Sequence, residues 1–177
     1  MTAQDVTNFW RVAGPARWFA KDAAFDAEFS QRFMGLHEAA ARGDLQPWLS
    51  QPESALALLI LLDQFPRNCF RGTPRMYATD PAARQAANQA IAQGHDLQIE
   101  SDLRLFIYLP FSHAEDLADQ ERAVALQTPL GPEILRHAEG HRAIIRRFGR
   151  FPHRNAILGR SSTAEELAFL AEGGFAG

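Results

Sequence analysis

The chain has 177 residues, 46% hydrophobic and 22% charged, with a net charge of −3. That is ordinary globular composition, and a chain of this length buries roughly 70% of its unfolded surface. Its longest wholly apolar run, the eight residues Ala55 to Leu62, falls far short of the roughly 20 needed to cross a bilayer. One cysteine, Cys69, excludes an internal disulfide and a cysteine-based zinc cluster. Met1 to Trp10 is polar and mixed, so no secretory leader is expected. The expectation is one cytoplasmic domain over residues 1–177. Thirty alanines and nineteen leucines against three valines favour helix over strand.

Every strong periodicity is helical. Asp22 is placed to cap a helix whose apolar residues Phe25, Phe29, Phe33, Leu36 and Ala40 share a face, with Gly43 to stop it. Trp48 and Leu49 anchor a short connection. Ser50 and Glu53 have capping-box spacing. The helix they would open, Ser54 to about Gln64, is apolar on all sides, so it is expected to be central and to stop before Pro66. Asp80-Pro81 starts an Ala-rich helix closed by Gly94. Ser101 or Asp102 starts the next, which breaks at Pro110. Ser112 and Glu115 repeat the capping-box spacing for a helix to about Gln127. Gly131-Pro132-Glu133 opens a helix ended by Gly149. A short turn follows Phe151-Pro152, and Ser162 and Thr163 with Glu165 and Glu166 cap a last helix to about Ala171. These make about seven helices with short connections, an all-α chain of helical hairpins. Trp10, Trp18, Phe19 and Trp48 are expected in packing contacts, and His37 and His95 in structural ones.

The basic residues are 17 arginines and one lysine, Lys21. A coding bias explains that, as does a need for fixed guanidinium forks that grip carboxylate or phosphate. Residues 134–160 hold seven arginines and the single acid Glu139, so this segment is +6 and the remainder −9. A small basic site on an acidic body suits a small anion or an acidic peptide. It does not suit duplex nucleic acid, which asks for a broad basic face and a pI above about 9, against about 6.1 here. No nucleic-acid or membrane partner is expected, and a homo-oligomer stays open.

One internal echo stands out. Leu61 to Asn68 (LLDQFPRN) resembles Arg147 to Asn155 (RFGRFPHRN), each reading as an apolar helix that ends in Phe-Pro before Arg-Asn. These runs, with Arg71-Gly-Thr-Pro74, Phe106-Ile-Tyr-Leu-Pro110, His113-Ala-Glu115 and Leu158-Gly-Arg-Ser161, resemble the domain of unknown function family 924. The likeness extends to Trp18-Phe19, Phe25-Asp26 and Thr163 to Glu166, and so covers nearly the whole chain. It implies tetratricopeptide-like helical hairpins and no established activity. Where the family has His-Ser-Glu, this chain has Ala114, which removes a hydroxyl beside the imidazole.

Three constellations bear chemistry. Arg67, Asn68 and Arg71 follow one Phe-Pro run, and Arg150, His153, Arg154, Asn155 and Arg160 surround the other. Guanidinium forks and free backbone N–H groups past a proline make an anion site. The alternative is that each arginine caps a helix or pairs with an acid such as Asp63 or Asp80. Second, His113, Asp116, Leu117 and Gln120 share a helical face. His113 in a first helical turn would be kept neutral by the helix dipole and able to move protons with His153; otherwise it packs beside Tyr108 and Pro110. Third, His137 and His141 have the i, i+4 spacing of helix-borne zinc sites, but Arg142 and Arg146 would repel a cation, so no metal is expected and a partly buried histidine against solvated arginines is. Cys69 reads as a small buried hydrophobe whose thiol Arg67 and Arg71 would acidify. No dinucleotide or phosphate-loop motif and no nucleophile elbow occurs, so no cofactor is expected. The leading expectation is a small-anion ligand held by Arg67, Arg154 and Arg160 with His113 and His153 as proton carriers. The rival is a scaffold that binds an acidic peptide without turnover.

Overall fold

In the computed structural model, residues 1–176 are described, and the regular structure among them is helical with no strand. The chain forms two compact units. One comprises Met1–Arg71 with Arg75–Pro110, the other Gly72–Pro74 with the chain from Phe111 onward.

The first unit opens with a helix that sequence periodicity had not placed. Thr2 and Asp5 cap each other to start α1 (Ala3–Ala13), which buries Val6, Phe9 and Trp10 on one stripe. After α2 (Pro15–Trp18), the Asp22 carboxylate accepts the N–H groups of Ala24 and Phe25 and starts α3 (Ala23–Ala41), as expected. The α3 face is Phe25, Phe29, Phe33, His37 and Ala40, so His37 is buried where Leu36 was expected. Phe9 stacks on Phe25 and Phe29 at 5.0 and 5.2 Å, and Trp10 meets Phe106 edge-on at 5.2 Å. Such ring pairs add to the burial of the rings themselves.

The central apolar helix is present and buried on every side from Ala55 to Leu62, but it does not stop before Pro66. α4 (Pro52–Leu59) passes through a π-helical turn, Ile60–Gln64, into α5 (Phe65–Cys69). Proline has no N–H, and its ring clashes with the carbonyl four residues back. The π turn removes the conflict by widening the helix, so that the Phe65 N–H reaches the Ile60 carbonyl. Two buried carbonyls released by this shift find side-chain donors. His37 Nδ1 lies 2.9 Å from the Leu61 oxygen, and the Thr79 hydroxyl donates to Leu62 at 2.6 Å. Buried carbonyls need such partners.

Capping differs from expectation at two places. Gln51, not Ser50, precedes α4, and its side chain makes no cap. Glu53 instead pairs with Arg11 and accepts from Thr7. α6 (Asp80–Ala92) follows Thr79. α7 (Ser101–Ser112) runs through Pro110 rather than ending there; its last two residues belong to the second unit. Trp10 and Trp18 are buried, the Trp18 indole N–H donating to the Trp10 carbonyl at 2.7 Å, whereas Phe19 is 61% exposed. His95 is structural, as expected, with Nε2 3.0 Å from the Leu49 carbonyl.

The second unit is a pair of helices, α8 (Leu117–Gln127) and α9 (Pro132–Phe148), packed along each other, with α10 (Ala164–Ala171) against the turn Pro152–Arg154 that follows α9. Asp116 caps α8 by accepting from the Asp119 N–H, so Ser112 and Glu115 form no capping box. Gly149 ends α9 at φ 70°, a left-handed position that glycine occupies without strain. Ile144, Ile145 and Phe151 form the local core with Phe148 and Phe169. Thr163 and Glu166 form the expected box at α10. No helix among the described residues is long and apolar enough to cross a membrane.

Candidate functional site

The two Phe-Pro runs do not fold alike. Pro66 lies inside a continuous helix, whereas Pro152 begins a single 3-10 turn, Pro152–Arg154, after α9 has ended. The chemistry around them also differs.

In the first unit the expected ligand residues hold acids. Arg67 reaches Asp63 at 3.1 Å and grips both oxygens of Asp80 at 2.8 and 3.0 Å. Burial alone would weaken its hold on a proton, but the two carboxylates keep its pKa above the ordinary value. Asn68 donates to Asp26 at 2.7 Å, and Arg71 Nε donates to the same carboxylate at 2.8 Å. Cys69 is not acidified by its arginine neighbours. Burial pushes its thiol up to about 12, with the Asp26 charge adding to the effect, which suits an inert packed thiol.

In the second unit, two of the expected arginines frame the loop after α9. Arg160 grips Glu115 at 2.6 and 2.9 Å and donates from Nε to Asn155 at 3.0 Å. Glu115 also accepts the Phe151 N–H at 2.7 Å. Burial works against its ionisation, yet the Arg160 and Phe151 bonds outweigh burial and hold its pKa below the ordinary range. Arg150 grips Glu166 at 2.7 and 2.9 Å, and Asn155 donates to Ser162 and Glu166. The Arg150 bond, with the Thr163 N–H, lowers the Glu166 pKa to about 2. Gln120 is fully buried and donates to the carbonyls of Ser112 and Ala114 at 2.7 and 2.8 Å, holding the turn that follows α7. His113 lies in that turn rather than in the first turn of a helix, so no helix dipole acts on it in the way expected.

The remaining expected residues gather around the ring of Phe151, which is buried. The buried Arg154 lies over this ring, its guanidinium carbon 4.5 Å from the centroid, and donates to the His113 carbonyl at 3.0 Å. His153 and His141 meet the same ring at 5.6 Å each, and His113 is 6.4 Å from His141. Three imidazoles and a guanidinium thus share one small region. His141 reports the electrostatic result. Burial, then the positive charges of His113, Arg154, His137 and His153, press its pKa down to about 3. Its buried Nδ1 has no hydrogen-bond partner among the described residues. Phe175 closes the arrangement, 4.8 Å from His141 and 5.1 Å from His153.

The sequence offers His141 as a metal ligand with His137 or as a partly buried histidine, and the structure shows the second, half-buried. Sequence reasoning assigns Phe151 and Phe175 no part in the site. One signal was available: His141 sits on the stripe Ala138, His141, Ile145, Phe148, where a polar residue among apolar ones marks a group turned toward the core. His137 is exposed. No group of three or more metal-ligating side chains has the geometry to hold an ion among the described residues. A separate groove of about 300 Å³ lies in the first unit, floored by Phe9 and Phe25 and flanked by Arg17 and Arg32. Those arginines pair with Asp22 and Glu28, and none of the expected site residues lines it.

A comparison with the curated proteins finds none that matches. The solved structure of a protein of unknown function, ATU0120, from Agrobacterium tumefaciens is similar to this chain at 60% identity and a TM-score of 0.95, over 96% of this chain and 97% of that one. The model of a family described as bacterial protein of unknown function, DUF924, matches residues 6–174, nearly the whole chain and every run on which the likeness was first read. The chain belongs to this family.

Proposed function

We propose that the second unit binds a small anion between Arg154 and the imidazoles of His113, His141 and His153. The observation that carries the reading is the convergence of the Arg154 guanidinium and the rings of His141 and His153 on Phe151, with His113 6.4 Å from His141. Guanidinium and imidazole N–H groups brought together are donors that suit an anion. Arg154 supplies the fixed charge and the imidazoles supply charge on demand. An anion beside His141 raises that ring's proton affinity, so ligand and proton bind together. His113 and His153 stand where they can give or take the proton if the ligand is transformed.

The other expected residues are positioning groups in this reading. Arg150, Asn155 and Arg160 fix the loop that carries His153 and Arg154, and Gln120 fixes the turn that carries His113. Arg67, Asn68 and Arg71 clamp the acids of the first unit.

Sulfate is the suitable probe, because its charge is constant across the working range. Sulfate should raise the melting temperature more at pH 5.5 than at pH 8, and should move the His141 ring resonances. Arg154→Ala should weaken that binding about tenfold or more, the scale of a lost charge-assisted contact. An unchanged sulfate response in Arg154→Ala overturns the assignment. Binding of an acidic peptide with no effect of sulfate would favour the scaffold reading instead.

A further inference from the structure

The groove of the first unit lies between α1 and α3, with α2 at one end. Asp5, Phe9, Val12 and Ala13 line it from α1 at helical spacing, opposite Phe25 and Arg32 of α3. Its two ends differ in charge. One end sets Arg32 among acids: Arg32 pairs with Glu28 at 3.2 Å and lies over Phe9, one turn on from Asp5. At the other end Arg17 lies over Phe25, 4.8 Å from the centroid, and no acid lines the groove there. Arg17 Nη2 donates to Asp22 at 3.0 Å, and its other N–H groups meet no acceptor among the described residues. Between the ends the wall is apolar but its ring faces are taken. Phe9 stacks on Phe25 and Phe29 at 5.0 and 5.2 Å, and the two guanidiniums cover Phe9 and Phe25. What remains is ring edge and methyl, above all Val12, which is 87% exposed. The lining from Asp5 to Ala13 runs about 12 Å along the helix axis.

We propose that this groove binds an aliphatic carboxylate, its chain laid along Phe9, Val12 and Ala13 and its carboxylate on the open N–H groups of Arg17. The site is in the first unit and owes nothing to the anion reading of the second. Three features select the ligand. The volume of about 300 Å³ suits a small molecule. With the ring faces already covered, a flat ring has nothing to stack on, whereas a flexible chain covers edges and methyl groups. The charge gradient sets the sign and the direction: Asp5 and Glu28 repel a carboxylate from the Arg32 end, and Arg17 accepts one by charge-assisted hydrogen bonds. The Asp22 contact stays intact. A guanidinium carries five N–H donors in a planar fork, so it holds Asp22 on one edge and a ligand on another. Arg67 shows the opposite case, a fork closed on both oxygens of Asp80.

Three probes of one chain length test this: octanoate, octanol and octylammonium, each titrated below its micelle concentration, with the Val12 methyl resonances as the readout. Octanoate should bind about tenfold more tightly than octanol, and octylammonium more weakly than either. Arg17→Gln should weaken octanoate about tenfold and leave octanol within about twofold. Val12→Ser should weaken octanoate and octanol alike, by about threefold or more, because it removes apolar contact. Arg17 is half-exposed and Val12 exposed, so both variants should fold. Arg154→Ala should leave octanoate binding unchanged, which separates a failure here from a failure of the second unit's site. Octanoate binding that survives Arg17→Gln, or octylammonium binding as tight as octanoate, overturns the carboxylate assignment. Binding that ignores Val12→Ser and leaves the Val12 methyls unmoved places the chain elsewhere and overturns the groove. Binding lost in Arg154→Ala but kept in Arg17→Gln gives the carboxylate to the second unit and overturns the proposal as well.

Discussion

The same letters, Phe-Pro followed by Arg and Asn, produce a clamp in one unit and an arginine–imidazole cluster in the other. Around Pro66 the chain supplies acids at helical spacing and from the next helix. Asp63 sits one turn before Arg67, and Asp80 faces it at 2.8 Å. Around Pro152 the acids Glu115 and Glu166 are taken by Arg160 and Arg150, while Arg154 lies on an aromatic face among histidines. An arginine's surroundings are set by the groups that the fold brings to it, not by the short run of residues that contains it.

The contrast can be broken or sharpened by experiment. The largest effect belongs to the clamp. Arg67→Ala leaves Asp63, which is fully buried, and Asp80 without their cation. Removing one partner of a buried ion pair costs about 3–5 kcal/mol, so urea unfolding should shift by that amount. A loss below about 1 kcal/mol would place Arg67 among surface pairs and erase the difference between the units.

The next effect belongs to the cluster and is read by pH. An ordinary histidine titrates near 6.5, but His141 in the folded chain does so at about 3. Between those values the unfolded chain takes up a proton that folded His141 refuses. Stability is therefore complete above pH 6.5 and falls as the pH drops toward 3, by at most about 1.4 kcal/mol per unit for one proton. His37, lowered chiefly by its burial, contributes with the same sign in the first unit. The His141→Asn variant should flatten the profile by the second unit's share. Sulfate should flatten it as well, by restoring the ring's proton affinity. A profile identical in His141→Asn would show that the imidazoles are not coupled to folding.

The smallest effect tests the tail. A Cβ on Gly174 would lie 2.5 Å from the Phe169 oxygen, so Gly174→Ala cannot keep the reversal after α10. Phe175 should then leave His141 and His153 while global stability changes by less than about 1 kcal/mol, as at surface positions. Loss of ring-current shifts on the two histidines would register it. Their persistence would mean that the tail is held by something other than the turn.

Much of the fold was legible in the residues. The stripe on α3, the all-round burial of Ala55 to Leu62, the stop at Gly149 and the box at Thr163 all follow from period and capping chemistry. The misreadings share a cause. Ser50 with Glu53 and Ser112 with Glu115 have the spacing of a capping box, but each glutamate goes to an arginine distant in the chain, Arg11 or Arg160. Local spacing cannot register a partner 42 or 45 residues away. A proline defeats a regular helix, which predicts stops at Pro66 and Pro110. At Pro66 the chain departs from regularity, and donors from α3 and from Thr79 make the departure tolerable. The candidate site was legible in its residue types, but its hub was not. Phe151 looked like a helix-ending residue, and nothing in the order of letters returns Phe175 to it.

The π turn also bears on how this chain can change length. Deleting one residue within Ile60–Gln64 would let the backbone regain regular α geometry, so it looks like a repair. A regular helix turns by about 100° per residue, however. Everything after the deletion would swing by that angle relative to the part before it, carrying the guanidinium of Arg67 away from its acids and pressing the proline ring back onto a carbonyl. The extra residue thus acts as a phase setter: it decides which way the second half of the central helix faces, and the spacing from Pro52 to Cys69 is fixed by that direction rather than by helix stability.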